Sequence, residues 1–294
     1  SMDAMADFLR QMAKSNGIPL THAALVLPST EVFTRELVMP AMTEQQLLYN
    51  LPYEFRDYLT EEKNKYFFDY SMREVLRDES GQPTEMNLLA CATLKSTVES
   101  YRTMLRRAGF RLRVLTPSEC AYSAVLQAYY RRTQQEGRDL CVVNLGHSAT
   151  FLYIYRGGHF ASRREIEVGM SDLEHLVADQ CSVDVHVAHE YVRQNYNHVL
   201  ESEQARELYG RIAVEVVKAV NFFNYNNRER ELTQLCLCGG GSAIQPLYDT
   251  IADTTGMTLH TSAELLGQRM STEEPWMYLR AIGGVDLGIK GGLR

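Results

Sequence analysis

Apolar residues at helical spacing, Met5, Phe8, Leu9 and Met12, predict an amphipathic helix over residues 3–16, with Gly17 as its stop. The apolar run at 23–27 and the alternation across 32–38 read as two strands. Leu47, Leu48, Leu51, Phe55 and Leu59 mark a helix within 43–59; Thr43 is its N-cap, and Pro52, which lacks a backbone donor, kinks or shortens it. Strand-like runs at 65–75 and 86–93 flank the turn-rich stretch 78–83. Ser96-x-x-Glu99 has capping-box spacing for a helix ending before Gly109, after which a strand at 111–115 and a helix at about 117–132 follow.

Residues 134–137 are polar and precede an abrupt change to β periodicity, so they read as a linker. Beyond them, 140–144, 150–155 and 159–168 form a three-stranded antiparallel unit turning at Gly146-His147-Ser148 and at Gly157-Gly158. Ser171-x-x-Glu174 reads as the cap of the next helix, Asp184 as the cap of another, and a long helix spans about 201–224. Leu235, Cys236, Leu237 and Cys238 form a buried strand that ends in Gly239-Gly240-Gly241-Ser242 and leads to a helix from about Pro246. The sum is a mixed α/β chain in two parts.

Composition narrows the function. At ~100–200 residues per domain, 294 residues make two domains. A formal charge of −7 argues against a general nucleic-acid binder, which needs a basic surface to neutralise phosphates. No apolar run approaches the ~18 residues of a membrane-spanning helix, and the first residues lack a signal-peptide pattern. Cys91, Cys120, Cys141, Cys181, Cys236 and Cys238 form no CxxC pair and sit among apolar residues, as reduced core thiols of a cytoplasmic protein do.

Two glycine turns carry the candidate chemistry. The hairpin through Asn144, Gly146, His147, Ser148 and Thr150 can present backbone N–H groups and hydroxyls to an anion. Gly239, Gly240, Gly241 and Ser242 let the backbone approach a ligand closely ahead of a helix. Each alone also serves as plain turn geometry. His186 and His189, spaced i,i+3 near Glu190, place no third metal ligand and read as an exposed helix face. Arg163-Arg164 and the charge run 228–230 read as solvated turns. The aromatics and amides of 221–227 read as core packing and a helix end, and Asp286-x-Gly288 with Lys290 as coincidence. No GxSxG elbow is present, and no catalytic or metal-binding residue is assigned.

In order and spacing these motifs resemble the PilM family of type IV pilus assembly proteins, bacterial members of the actin-like ATPase superfamily related to FtsA. The stretch 27–42 is similar to the family's entry into an inserted subdomain, and Arg107-Ala108-Gly109-Phe110 to its exit. Val143 to Thr150, with Ser162-Arg163 and Gly169, resembles the second phosphate hairpin; 239–247 resembles the adenosine motif, and Ala281-Ile282-Gly283 the close of the fold. The resemblance implies an α/β, actin-like (ribonuclease H-like) two-lobed fold with an FtsA-like IC subdomain of SHS2 type. It maps 1–20 to a helix of subdomain IA, 21–116 to IC, 117–137 to an IA helix and linker, 138–270 to IIA and IIB, and 271–294 to a segment returning to IA.

It further implies a nucleotide site for ATP with Mg²⁺ at Asn144, Gly146, His147, Ser148, Thr150, Gly239, Gly240, Gly241 and Ser242, with Glu215 and Lys218 as ribose-edge contacts. Read by themselves, Glu215 and Lys218 are an i,i+3 ion pair on a solvated helix face. Two departures weaken hydrolysis: no Asp-x-Gly strand–turn–strand of subdomain IA precedes the helix at 3–16, and Asn144 stands where the family has Asp. The function implied is a cytoplasmic scaffold at the inner face of the cell membrane. It binds the N-terminal cytoplasmic peptide of a PilN-like membrane protein through 25–33 and the helix 117–130, alongside the pilus assembly ATPases. Apolar surface on IA would favour a homo-oligomer. The competing expectation is an active, polymerising FtsA-like ATPase; a sugar-kinase-like enzyme lacks an assignable base.

Overall fold

The computed structural model describes residues 1–135, 137–228, 230–269 and 273–291. Glu136 in the expected linker, Glu229 in the 228–230 charge run, and the expected 270/271 boundary lie outside the described residues, as do 292–294 of the terminal segment. The chain forms two compact units, residues 1–124 together with those from Arg280 on, and residues 125–279.

The first unit contains α1 (Met2–Ser15), β1 (His22–Leu27), β2 (Phe33–Pro40), α2 (Glu44–Glu54), β3 (Tyr66–Arg77), β4 (Pro83–Leu94), α3 (Lys95–Ala108) and β5 (Arg111–Pro117). The helix α4 (Ser118–Thr133) begins in this unit and ends in the other. Two separate sheets form. β2, β4 and β3 make an antiparallel sheet in that spatial order, and α2 covers it by packing Leu47, Leu51 and Phe55 on Leu37, Met39, Met86, Leu88, Ala90 and Ala92. Strand–helix–strand–strand order gives this layer its SHS2 arrangement, confined to 33–94. β1 and β5 pair with each other in parallel as a sheet of their own. The expected stretch 21–116 therefore spans two sheets.

Local chemistry explains most of these elements. Thr43 and Gln46 close a capping box on α2, and the helix ends two residues after Pro52. Gly109 ends α3 in the left-handed conformation at φ +100. Ser96, however, lies inside α3, whose N-cap is Leu94 without a side-chain cap, because β4 passes directly into the helix. On α1 the buried side chains are Ala6 and Ala13, and Ala6 packs with α3's Met104, Leu105 and Ala108. Met5, Phe8 and Met12, read from the sequence as one face of the helix, are exposed, Phe8 by 60%. Across the other face of β1 and β5 lies α10 (Leu279–Gly291), where Gly283 meets the Ala121 carbonyl and Gly284 meets Val26.

The second unit contains β6 (Asp139–Leu145), β7 (Thr150–Arg156), β8 (His159–Ile166), α5 (Met170–Cys181), α6 (Val185–Gln194), α7 (Glu203–Asn226), β9 (Gln234–Cys238), α8 (Gln245–Thr255), β10 (Thr258–His260) and α9 (Ser262–Leu266). One sheet runs β10-β9-β6-β7-β8, with the meander β6-β7-β8 antiparallel and β9 and β10 parallel to β6. This is a ribonuclease H-like order. Leu140, Cys141, Val142 and Val143 are fully buried, as a central strand covered on both faces requires. α7 packs Leu208, Tyr209, Ile212, Ala213 and Val216 into the core, and α8 adds Leu247 and Ile251. Ser171 lies within α5 and does not cap it; the N-cap is Gly169, closed by Asp172. Of the aromatics near the end of α7, Phe223 joins the core, while Phe222 and Tyr225 are exposed.

Candidate functional site

β6 and β9 are neighbours in the sheet, with Asn144 in register with Cys238. Both strands therefore release the chain at their carboxyl ends side by side, where open α/β sheets place their ligands. After β6 the chain turns through Gly146, His147 and Ser148; after β9 it turns through Gly239, Gly240, Gly241 and Ser242. The two turns pack on each other. Gly239 has φ +82, and a Cβ there would fall 2.5 Å from the Asn144 Oδ1 and 2.6 Å from the Leu145 carbonyl oxygen. Only glycine meets both demands. A Cβ on Gly241 would lie 2.7 Å from the Met170 Sδ, whereas no atom comes within 4 Å of one on Gly240, which is exposed.

The turn after β6 is anchored to α5. The amides of Met170 and Ser171 donate to the carbonyls of Gly146 and His147 at 3.0 and 2.8 Å, and the Gly169 amide donates to the Asp172 carboxylate at 2.8 Å. The first N–H groups of α5 are thus satisfied by the protein. At the exposed tip, the backbone N–H groups of His147 and Ser148 have no hydrogen-bond partner among the described residues. Together with the open space at Gly240 they leave a shallow, donor-lined cradle.

The expected site residues divide. Asn144, Gly146, His147, Ser148, Gly239, Gly240, Gly241 and Ser242 come together. Thr150 does not face the cradle: it is fully buried, and its hydroxyl donates to the Val168 carbonyl at 2.9 Å. The Ser242 hydroxyl donates to the Gly239 carbonyl at 2.7 Å and closes its own turn. Glu215 and Lys218 pair with each other at 2.7 Å on α7. They line a separate groove of about 620 Å³ with Glu165, Val168, Arg211 and Val214.

One residue of the site was hidden in the sequence. Glu174 is buried on α5, its Oε1 2.8 Å from the His189 Nδ1 and 3.7 Å from the His147 Nδ1. The capping-box spacing with Ser171 disguised it, and His189 sits 15 residues away, beyond any local pattern. His186 stands apart from this cluster, its amide bonded to Asp184 at 2.8 Å as the N-cap of α6.

The donor set fits an oxyanion and does not fit Mg²⁺. Backbone amides line the cradle, whereas Asn144 supplies a neutral amide whose Oδ1 lies 3.9 Å from the Cys238 thiol. Magnesium is held by carboxylate and phosphate oxygens. Among the described residues no group of His, Cys, Asp and Glu is arranged to hold a metal ion.

Comparison with known proteins decides the lineage. The family model for type IV pilus assembly protein PilM matches residues 1–274. The chain belongs to the PilM family. A chain of a solved PilM-PilN type IV pilus biogenesis complex superposes with a TM-score of 0.78 at 18% identity, over 98% of this chain and 85% of that one. The likeness establishes the fold, α/β and actin-like, and places the PilM pattern over both units. Weaker likenesses are ethanolamine utilization protein EutJ from Carboxydothermus hydrogenoformans and Ta0583, an archaeal actin homolog in complex with ADP. EutJ gives a TM-score of 0.48 at 14% identity, over 66% of this chain and 62% of that one. Ta0583 gives 0.46 at 15% identity, over 62% and 59%. No curated protein matches the sequence. No helix among the described residues is long and apolar enough to cross a membrane.

Proposed function

We propose that the chain is a cytoplasmic actin-like scaffold of type IV pilus assembly, recruited to the inner face of the membrane by the N-terminal peptide of a PilN-like protein. One observation carries this reading: a PilM pattern running from residue 1 to residue 274, in the fold that a PilM-PilN complex adopts. Subdomain IA would comprise α1, β1, α3, β5, the start of α4 and α10, with the SHS2 layer 33–94 as IC and the second unit as IIA and IIB. The peptide would lie against 25–33 and the first turns of α4. There Leu25, Val26 and Phe33 are half-buried, and β1 has β5 as its one strand partner among the described residues. An open strand edge bordered by apolar side chains suits an extended peptide with a few apolar anchors. Fluorescence anisotropy with a labelled peptide from the cognate protein should rise to saturation in the micromolar range, and a scrambled peptide should leave it flat. A flat signal with both peptides overturns the reading.

The cradle supports a second reading at the same fold, a nucleotide site without efficient hydrolysis. Gly239 and Gly241 hold the two turns together, while neutral Asn144 leaves Mg²⁺ without a carboxylate. The reading expects weak Mg·ATP binding by calorimetry and no turnover. Asn144→Asp should tighten Mg·ATP by about three- to tenfold, the worth of one charge-assisted contact near 1 kcal/mol. Steady ATP hydrolysis by the unaltered chain would restore the polymerising-ATPase alternative.

A further inference from the structure

β1 and β6 are both apolar strands with helices on their faces, yet they are buried to different extents. Leu140, Cys141, Val142 and Val143 of β6, flanked by β7 and β9, are fully buried. Ala23, Ala24, Leu25 and Val26 of β1 are only half-buried, because β1 pairs with β5 alone among the described residues and one of its edges is open. Open edges are ordinarily blunted by charge or proline. β5 carries Arg111 and Arg113, whereas β1, from His22 to Leu27, holds no Lys, Arg, Asp, Glu or Pro.

The helices on either face of this strand are apolar and uncovered as well. α1 turns Asp3 and Asp7 toward Arg107 of α3, at 2.7 and 3.2 Å, and packs Ala6 and Leu9 into the core. Met5, Phe8 and Met12, spaced i, i+3 and i+7, therefore face away from α3 and are exposed, Phe8 by 60%. On the opposite face of the sheet, Gly284 and Gly288 bring α10 against Val26 and Val114. Val285 and Ile289, one residue on from each glycine, are exposed, Ile289 by 70%. With His22, Ala23, Ala24 and Arg113 they line a groove of about 720 Å³.

We infer that the α1 stripe, the open edge of β1 and the α10 row form the interface of a two-fold homodimer. The inference goes beyond the peptide reading. Residues 25–27 belong to both surfaces, so a bound peptide and a partner copy exclude each other.

Charge and area select a second copy as the occupant. The stripe carries no charge, and Arg113 is the one formal charge lining the groove, so the face offers little for an acidic or basic partner to read. α1 balances Asp3 and Asp7 against Arg10 and Lys14, without the Lys and Arg excess of helices that lie on anionic lipid. An uncharged face meets its own copy without like-charge repulsion, and a two-fold axis sets the same patch of each copy against the other. Met5, Phe8, Met12, Val285 and Ile289 present roughly 500 Å² of apolar side chain, and the groove and strand edge carry the total toward the ~800 Å² per partner of a standard interface.

Sedimentation velocity of the 294-residue chain, without peptide, tests this and leaves the peptide reading untouched if it fails. Between about 1 and 100 µM it should show a reversible monomer–dimer equilibrium with a Kd in the micromolar range. Phe8→Glu on α1 and Ile289→Glu on α10 each place a charge in the interface and should raise that Kd by about tenfold or more. Both positions are exposed, so circular dichroism should stay unchanged. Phe222→Glu, at an exposed aromatic of the second unit, should leave the Kd as it is. A monomer throughout, growth beyond two copies, a dimer unmoved by both Phe8→Glu and Ile289→Glu, or one lost equally in Phe222→Glu overturns the inference. A monomer that cosediments with phosphatidylcholine vesicles would assign the face to lipid and overturns it as well.

Discussion

At residue scale the site is set by atoms that touch. Gly239 is needed twice over, for its φ of +82 and for the 2.5 Å that separates its missing Cβ from Asn144. Gly239→Ala should lower unfolding free energy by about 2 kcal/mol in chemical denaturation, combining left-handed strain with displacement of the neighbouring turn. Gly240→Ala, with no atom within 4 Å of the new methyl, should cost far less. The cysteines give a pH prediction. Burial, reinforced by nearby acidic groups, pushes the Cys91 and Cys120 thiols up to about 12. In the unfolded chain a thiol ionises near pH 8.5, so between about 8.5 and 12 the unfolded state holds fewer protons and stability falls as pH rises. Alkylation by iodoacetamide at pH 8 should therefore spare Cys91 and Cys120 until the protein unfolds. Rapid labelling of either in the folded chain would contradict the raised thiol pKa.

The glycines of the site were legible because φ and close approach act on the residue itself. Thr150 and Glu174 were not. Whether a hydroxyl faces a ligand or the Val168 carbonyl depends on a partner 18 residues away. Whether an acid caps its own helix or receives a histidine from the next depends on how α5 packs on α6.

At the scale of elements, local rules hold where a loop separates the pieces and fail where it does not. Thr43 follows a break after β2 and caps α2 as its spacing predicts, with Gln46 completing the box. Ser96 has the same spacing with Glu99, yet β4 runs straight into α3, leaving no free turn to cap. Thr43→Ala should cost about 1 kcal/mol by thermal or chemical melting. Leu51→Ala, at a fully buried position between α2 and the SHS2 sheet, should cost about 2–5 kcal/mol. The hairpins of the second unit were readable because alternation and paired glycines are local signals. The parallel pairing of β1 with β5 was not, since more than eighty residues separate the two strands.

At the scale of the whole molecule, periodicity indicated a mixed α/β chain of two parts, and the order of the motifs, through their resemblance to the PilM family, implied the actin-like fold. Periodicity alone placed an amphipathic helix at 3–16, but it could not show which stripe is covered: Ala6 and Ala13 are, while Met5, Phe8 and Met12 are not. As proposed, this PilM-family chain holds a peptide and does not turn over ATP. Calorimetric titration of the cognate PilN-like N-terminal peptide, with and without Mg·ATP, tests it most directly. Saturable micromolar binding of the peptide, unchanged by Mg·ATP and with no heat of continuous hydrolysis, is expected. Absence of peptide binding together with steady ATP turnover would contradict it.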